Sequence, residues 1–175
     1  YPYATCASIN DEICHGFPRE EKLREGDILA IDMVVRFDGW LADSAWSYGV
    51  GEISEDAKKL LDITRQSLYL GIEQAVVGNR LGDIGNAIQK HVESNGFSVV
   101  RDFVGHGIGK DMHEDPQVPH YGKAGRGVRL VEGMVITIEP MVNAGVYNMK
   151  LDDNKWTART TDGKLSAQYE HTIAI

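Results

Sequence analysis

An α+β fold, with helices packed on one face of an antiparallel sheet, is predicted by three observations. Two amphipathic helical stretches stand among several hairpins. A short segment of the first hairpin recurs near the C-terminal end. The composition, with 42% hydrophobic and 25% charged residues in 175, is that of one globular domain. A chain of this length can bury roughly 70% of its unfolded surface and needs no disulfide staples.

The elements follow in order. Tyr3 to Ile9 is small and apolar and reads as a strand. Asn10 to Arg24 is polar, holds Gly16 and Pro18, and reads as a loop. Asp27 to Phe37 is rich in Ile, Val, Leu and Met, and Asp38-Gly39 is a hairpin signal that returns the chain along Trp40 to Val50. Ser54 is a natural N-cap for a helix whose Leu60, Leu61, Thr64, Leu68, Ile72 and Val76 share one face, with Gly78 as its stop. A second helix is expected from Leu81 to Asn95, with Ile84, Ile88, His91 and Val92 on one face and Gly96 ending it. Phe97 to Val104 reads as a strand, the Gly- and Pro-rich stretch through Gly127 as a loop, and Val131 to Val142 as a strand. Asn143 to Gly163 reads as hairpin-like, and Leu165 to Ile175 as the last strand.

The charge excludes several classes. With 18 basic and 26 acidic residues the net charge is -8, and no basic run exceeds Lys58-Lys59, so a nucleic-acid partner is not expected. No apolar run approaches the ~20 residues of a membrane span. The two cysteines, Cys6 and Cys14, cannot build a zinc ribbon, and free thiols point to a reducing, cytoplasmic setting. The chain opens at Tyr1 in a strand, without an initiator Met, and closes inside the apolar alternation Thr172 to Ile175, so a piece of a larger domain is expected.

The repeat sets Arg24–Val35 (REGDILAIDMVV) beside Val131–Val142 (VEGMVITIEPMV), with Asp32 and Glu139 at the same offset. Either the match is chance or a duplicated unit aims one acid from each half at a shared centre. A carboxylate in so apolar a run needs a positive partner. Asp43 sits near Asp32 across the Asp38-Gly39 turn, where it is either an unrelated surface acid or one of a pair bridged by a cation. His106 lies among Gly105, Gly107 and Gly109, which permit close approach of a ligand. Glu170 lies on the last strand, where taken alone it reads as an edge-strand acid. Asp32, Asp43, His106, Glu139 and Glu170 together suit hard or borderline divalent ions such as Mn, Fe, Co or Zn. Four carboxylates balance two such ions, and a bridging hydroxide between them would be a nucleophile.

The run Phe103-Val104-Gly105-His106-Gly107-Ile108-Gly109, then His113, Val118 and His120-Tyr121, resembles the type I methionine aminopeptidase family. Ile138-Glu139-Pro140-Met141, Gln168-Tyr169-Glu170-His171, Cys14-His15-Gly16 and Ile31-Asp32 match its other blocks, so the resemblance spans the chain. Only 25 residues lie between His113 and Glu139, which leaves no room for the large insertion of the type II enzymes. The resemblance implies the pita-bread fold, two pseudo-symmetric halves, in a single catalytic domain over residues 1–175 that lacks the family's usual N-terminal segment. It implies a metalloaminopeptidase that removes the initiator methionine from nascent polypeptides by way of two divalent ions and a bridging hydroxide.

It also implies the roles. Asp32, Asp43, His106, Glu139 and Glu170 are the metal ligands, with Glu170 bridging and Asp43 reaching the two ions unequally. His113 meets the scissile carbonyl, His15 lies near the scissile amide, and Glu139 also shuttles the proton. Tyr1, Cys6, Phe103, Met112 and Trp156 border the methionine pocket. Nascent N-termini as substrate, a monomer, and association with the ribosome are further implications. The chain departs from the family with Ala42-Asp43-Ser44 in place of Gly-Asp-Thr and with Met112 where an aromatic is common. The rival readings are a proline-directed relative (aminopeptidase P or prolidase), a non-catalytic binding module of the same fold, and a Cys14-His15 nucleophile pair. Adjacent residues of an extended chain point opposite ways, which argues against the last.

Overall fold

The computed structural model describes all of residues 1–175. Four strands come first: β1 (Thr5–Ile9), β2 (Glu12–Cys14), β3 (Ile28–Phe37) and β4 (Trp40–Gly49). Helices α1 (Glu55–Glu73) and α2 (Leu81–Ser94) follow. The remaining strands are β5 (Ser98–Val99), β6 (Gly105–Gly107), β7 (Glu114–Val118), β8 (Val135–Ile138), β9 (Met141–Asn143), β10 (Met149–Leu151), β11 (Ala158–Thr160), β12 (Ser166–Gln168) and β13 (Glu170–Ala174). The main sheet has the order β1-β3-β4-β13-β8-β6-β7, and two three-stranded sheets, β10-β11-β2 and β12-β9-β5, flank it. Every pairing is antiparallel.

The β3–β4 hairpin turns at Asp38 and Gly39, both with positive φ, as a two-residue turn matched to strand twist requires. Ser54 caps α1, its side chain accepting the Ala57 N–H at 3.2 Å, and Glu55 and Asp56 face the positive helix end. Leu60 and Leu68 of α1 are fully buried, each worth roughly 2 kcal/mol of apolar transfer. Gly71 lets α1 approach both α2 and the sheet: a Cβ there would stand 2.7 Å from Ile88 and 3.4 Å from Ile138. The helices thus cover the β8 half of the main sheet. Met33, Val35, Phe37 and Trp40, on the same face of the β3–β4 half, remain exposed.

Six expectations need correction. Residues 10–24 are not all loop, because Glu12–Cys14 pairs with β11. Helix α1 stops at Glu73, short of Val76 and Gly78. The Gln74 N–H already bonds Gly71 in a tight turn, and the Gly78 N–H is drawn to Leu130. Of Phe97–Val104 only Ser98–Val99 is strand, and the loop after Gly109 contains β7. The two long C-terminal strands are each broken. One yields β8 and β9 around Glu139-Pro140, where proline has no N–H for a ladder. The other yields β12 and β13 around Tyr169, whose hydroxyl donates to the Ser47 carbonyl at 3.1 Å. The first break carries the chain from the main sheet into a flanking one, and the second brings it back into the main sheet.

Candidate metal centre and substrate cavity

The β3–β4 register pairs Asp32 with Ala45 and Asp43 with Val34. The two carboxylates are therefore diagonal neighbours on one face, as the turn position predicts. On the other side of β4, β13 sets Glu170 against the same Ala45, a buried residue too small to fill the space between Asp32 and Glu170. Ile138 faces His171 and Met141 faces Gln168, so the intervening Glu139 stands across from Glu170. The break at Pro140 frees its side chain to reach the same centre.

β6 brings in His106. Its backbone N–H donates to Thr137 Oγ1 at 2.9 Å, and that hydroxyl donates to Glu139 Oε1 at 2.8 Å. His106 Nδ1 lies 2.8 Å from the Gly107 carbonyl, which can only accept, so the ring proton is on Nδ1 and Nε2 keeps a free lone pair. That Nε2 is 3.9 Å from Asp43 Oδ2 and 3.5 Å from Glu139 Oε1. Ligand atoms of Asp43, His106 and Glu170 lie within 4.8 Å of one another. The Ser44 N–H donates to Asp43 Oδ1 at 2.9 Å, whereas its hydroxyl turns to the Glu170 carbonyl. Thr172 Oγ1 accepts the Asp43 N–H and donates to its carbonyl, both at 2.8 Å.

Clustered and buried, these carboxyls ionise only at a cost that a cation would offset. Burial, then the Asp43 charge, pushes Asp32 up to about 7. Burial likewise raises Asp43 and lifts Glu139 and Glu170 well above the usual carboxylate range. Glu170 is 1% exposed and its Oε1 has no hydrogen-bond partner. No Lys or Arg lines the cavity. Clustered carboxylates, an orphaned carboxylate oxygen and an imidazole lone pair are a donor set that could hold a divalent metal ion.

All twelve residues singled out in the sequence line one cavity of about 410 Å³. At its aromatic end the Tyr1 and Trp156 rings are 5.7 Å apart and those of His15 and Phe103 are 5.4 Å apart. Burial lowers the His15 pKa, with His113 adding to the effect. The His113 ring, exposed at the rim, is 4.4 Å from that of His106. Burial and Asp32 push the Cys6 thiol up to about 12, and burial raises Cys14 well above its ordinary value, so neither is an activated nucleophile. The lining also includes Tyr3, Met33, Val34, Met141 and Gln168, which the sequence does not single out as site residues.

One consequence concerns pH. A buried carboxyl with a raised pKa stabilises the fold fully below its unfolded pKa of about 4, and that contribution is lost as pH rises through the folded value. His15, His106 and His120 have lowered pKa values, so their opposing effect on stability ends above about pH 6.5. Metal-stripped protein is therefore expected to melt lower at about pH 8 than at about pH 6.5, and a divalent ion at pH 8 to restore the melting temperature. A melting temperature that is flat or rising over that window would contradict the electrostatics.

Residues 1–175 match metallopeptidase family M24. The methionine aminopeptidase of Clostridium perfringens is 56% identical over 175 residues, the whole of this chain and 70% of that protein. The solved methionine aminopeptidase of Thermotoga maritima superposes with a TM-score of 0.98 at 48% identity, covering 100% of this chain and 71% of that one. A Pyrococcus horikoshii prolidase shares the fold alone, with a TM-score of 0.77 at 23% identity over 99% of this chain and 45% of that one. The architecture is the pita-bread fold.

Proposed function

Since the chain belongs to metallopeptidase family M24, we infer that it is a methionine aminopeptidase, a hydrolase that removes the N-terminal methionine of nascent polypeptides. The observation that carries this reading is a cluster of four carboxylates and one imidazole in an aromatic and sulfur-lined cavity without a Lys or Arg. Asp32, Asp43, His106, Glu139 and Glu170 would hold two divalent ions, Co, Mn, Fe or Zn, whose charge balances the four carboxylates. When bound, such ions polarise a carbonyl and supply an activated water at neutral pH.

The chain's own residues do the rest. Tyr1, Cys6, Phe103, Met112 and Trp156 bind the methionine side chain, since aromatic faces and sulfur suit a thioether. His113, at the rim, donates to the scissile carbonyl oxygen as charge develops on it. His15, held in a left-handed turn with φ 55° and packed against Phe103, orients the scissile amide. Glu139, whose Oε1 accepts the Thr137 hydroxyl at 2.8 Å, takes the proton of the attacking water and passes it to the leaving amine.

Residues 1–175 act in this reading as one catalytic domain, a monomer in the cytoplasm that meets nascent chains at the ribosome. No helix is long and apolar enough to cross a membrane. The test is cleavage of Met-Ala-Ser against Ala-Pro by manganese-loaded protein. Methionine release, with Ala-Pro left intact, is expected. Cleavage of Ala-Pro alone would move the chain to the proline-directed branch of the fold, and cleavage of neither would support the non-catalytic binding module.

A further inference from the structure

Glu139 is held at two points, and only one of them is its carboxylate. β8 ends at Ile138 and β9 begins at Met141, so the Glu139 amide lies outside the strand ladders and needs another acceptor. That acceptor is His120, whose Nε2 takes the Glu139 N–H at 3.0 Å. A ring nitrogen that accepts carries no proton, so the His120 proton sits on Nδ1. His120 is 1% exposed and Nδ1 meets no protein acceptor. A buried unpartnered donor is costly, and an apolar side chain would fill the same space without it. What a histidine offers at this position is the Nε2 lone pair.

The segment that carries His120 is clamped to α2. A Cβ on Gly85 would stand 2.6 Å from the carbonyl oxygens of both Pro119 and Tyr121, so only glycine lets this backbone lie against the helix. Asn86 Nδ2 donates to the Gly122 carbonyl and the Gly122 N–H donates to Gln89 Oε1, both at 2.9 Å. His120 is thus a strut from α2 to the peptide between β8 and β9.

We propose that His120 is a positioning residue that fixes the Glu139 peptide, and through it the direction in which the Glu139 carboxylate enters the cavity. It touches no substrate, and the proposal rests on the aminopeptidase reading. In manganese-loaded enzyme, His120→Leu is expected to lower kcat for Met-Ala-Ser roughly thirtyfold with KM changed less than about threefold. His120→Gln, whose amide oxygen accepts the same N–H, is expected to recover most of the loss. A Leu variant as active as wild type, or Leu and Gln variants equally impaired, would overturn the proposal. Should the Leu variant not fold, the nitrogen-15 histidine spectrum of zinc-loaded wild type decides. A Nδ1–H tautomer of His120 supports the strut and a Nε2–H tautomer refutes it. An inactive wild type would instead remove the functional reading itself, and with it this proposal.

Discussion

Glu170→Gln is expected to lower kcat/KM for Met-Ala-Ser by about 10³-fold or more while leaving the metal-free fold as stable as wild type or more stable. Glu170 is 1% exposed, has an unpartnered oxygen and faces Glu139 across the strand break. Without a cation its charge is a liability, and a neutral amide of the same shape relieves it. With a cation the missing charge weakens binding at the centre of the ligand set. Calorimetric metal titration and thermal melts check the two halves together. A variant that loses stability but keeps metal affinity would mean that Glu170 is a structural acid.

His113→Ala is expected to lower kcat about 10²-fold with little change in KM or in metal affinity. His113 is exposed at the rim of the cavity, whereas His106, Glu139 and Glu170 are buried. Its ring touches that of His106 at 4.4 Å, close enough to act on the same substrate carbonyl. Steady-state kinetics with metal content measured on the same samples separates the outcomes. A loss of bound metal equal to the loss of activity would place His113 in the ligand set instead.

What was legible in the sequence was local. Asp38-Gly39 gave away the first hairpin, and with it the diagonal placement of Asp32 and Asp43. Ser54 marked the start of α1, and the short repeat put Asp32 and Glu139 at matching points of two apolar runs. What was not legible depended on partners far along the chain. β2 looked like loop because its stretch is polar and holds Gly16 and Pro18, but in the fold Arg159 bonds Glu12 at 2.6 Å and Arg19 bonds it at 2.7 Å, and Glu12 is fully buried. Gly78 offered a stop for α1, yet the helix had already ended at Glu73, and the Gly78 amide bonds Leu130 instead. The breaks at Glu139-Pro140 and Tyr169 interrupt runs whose apolar pattern is continuous. Thr137 and Thr172 are ordinary strand residues until their hydroxyls are seen to hold Glu139, the His106 backbone and Asp43. Tyr1, Cys6, Phe103, Met112 and Trp156 carry no local mark of a pocket, and only the family resemblance singled them out.

The most direct test is a manganese titration of metal-stripped protein, following methionine release from Met-Ala-Ser, with Asp43→Asn alongside. The account predicts no release without metal, release that rises and saturates as the ion is added, and an Asp43→Asn protein that stays inactive at the same metal concentration. Methionine release from the stripped protein, or an Asp43→Asn variant as active as wild type, would contradict it.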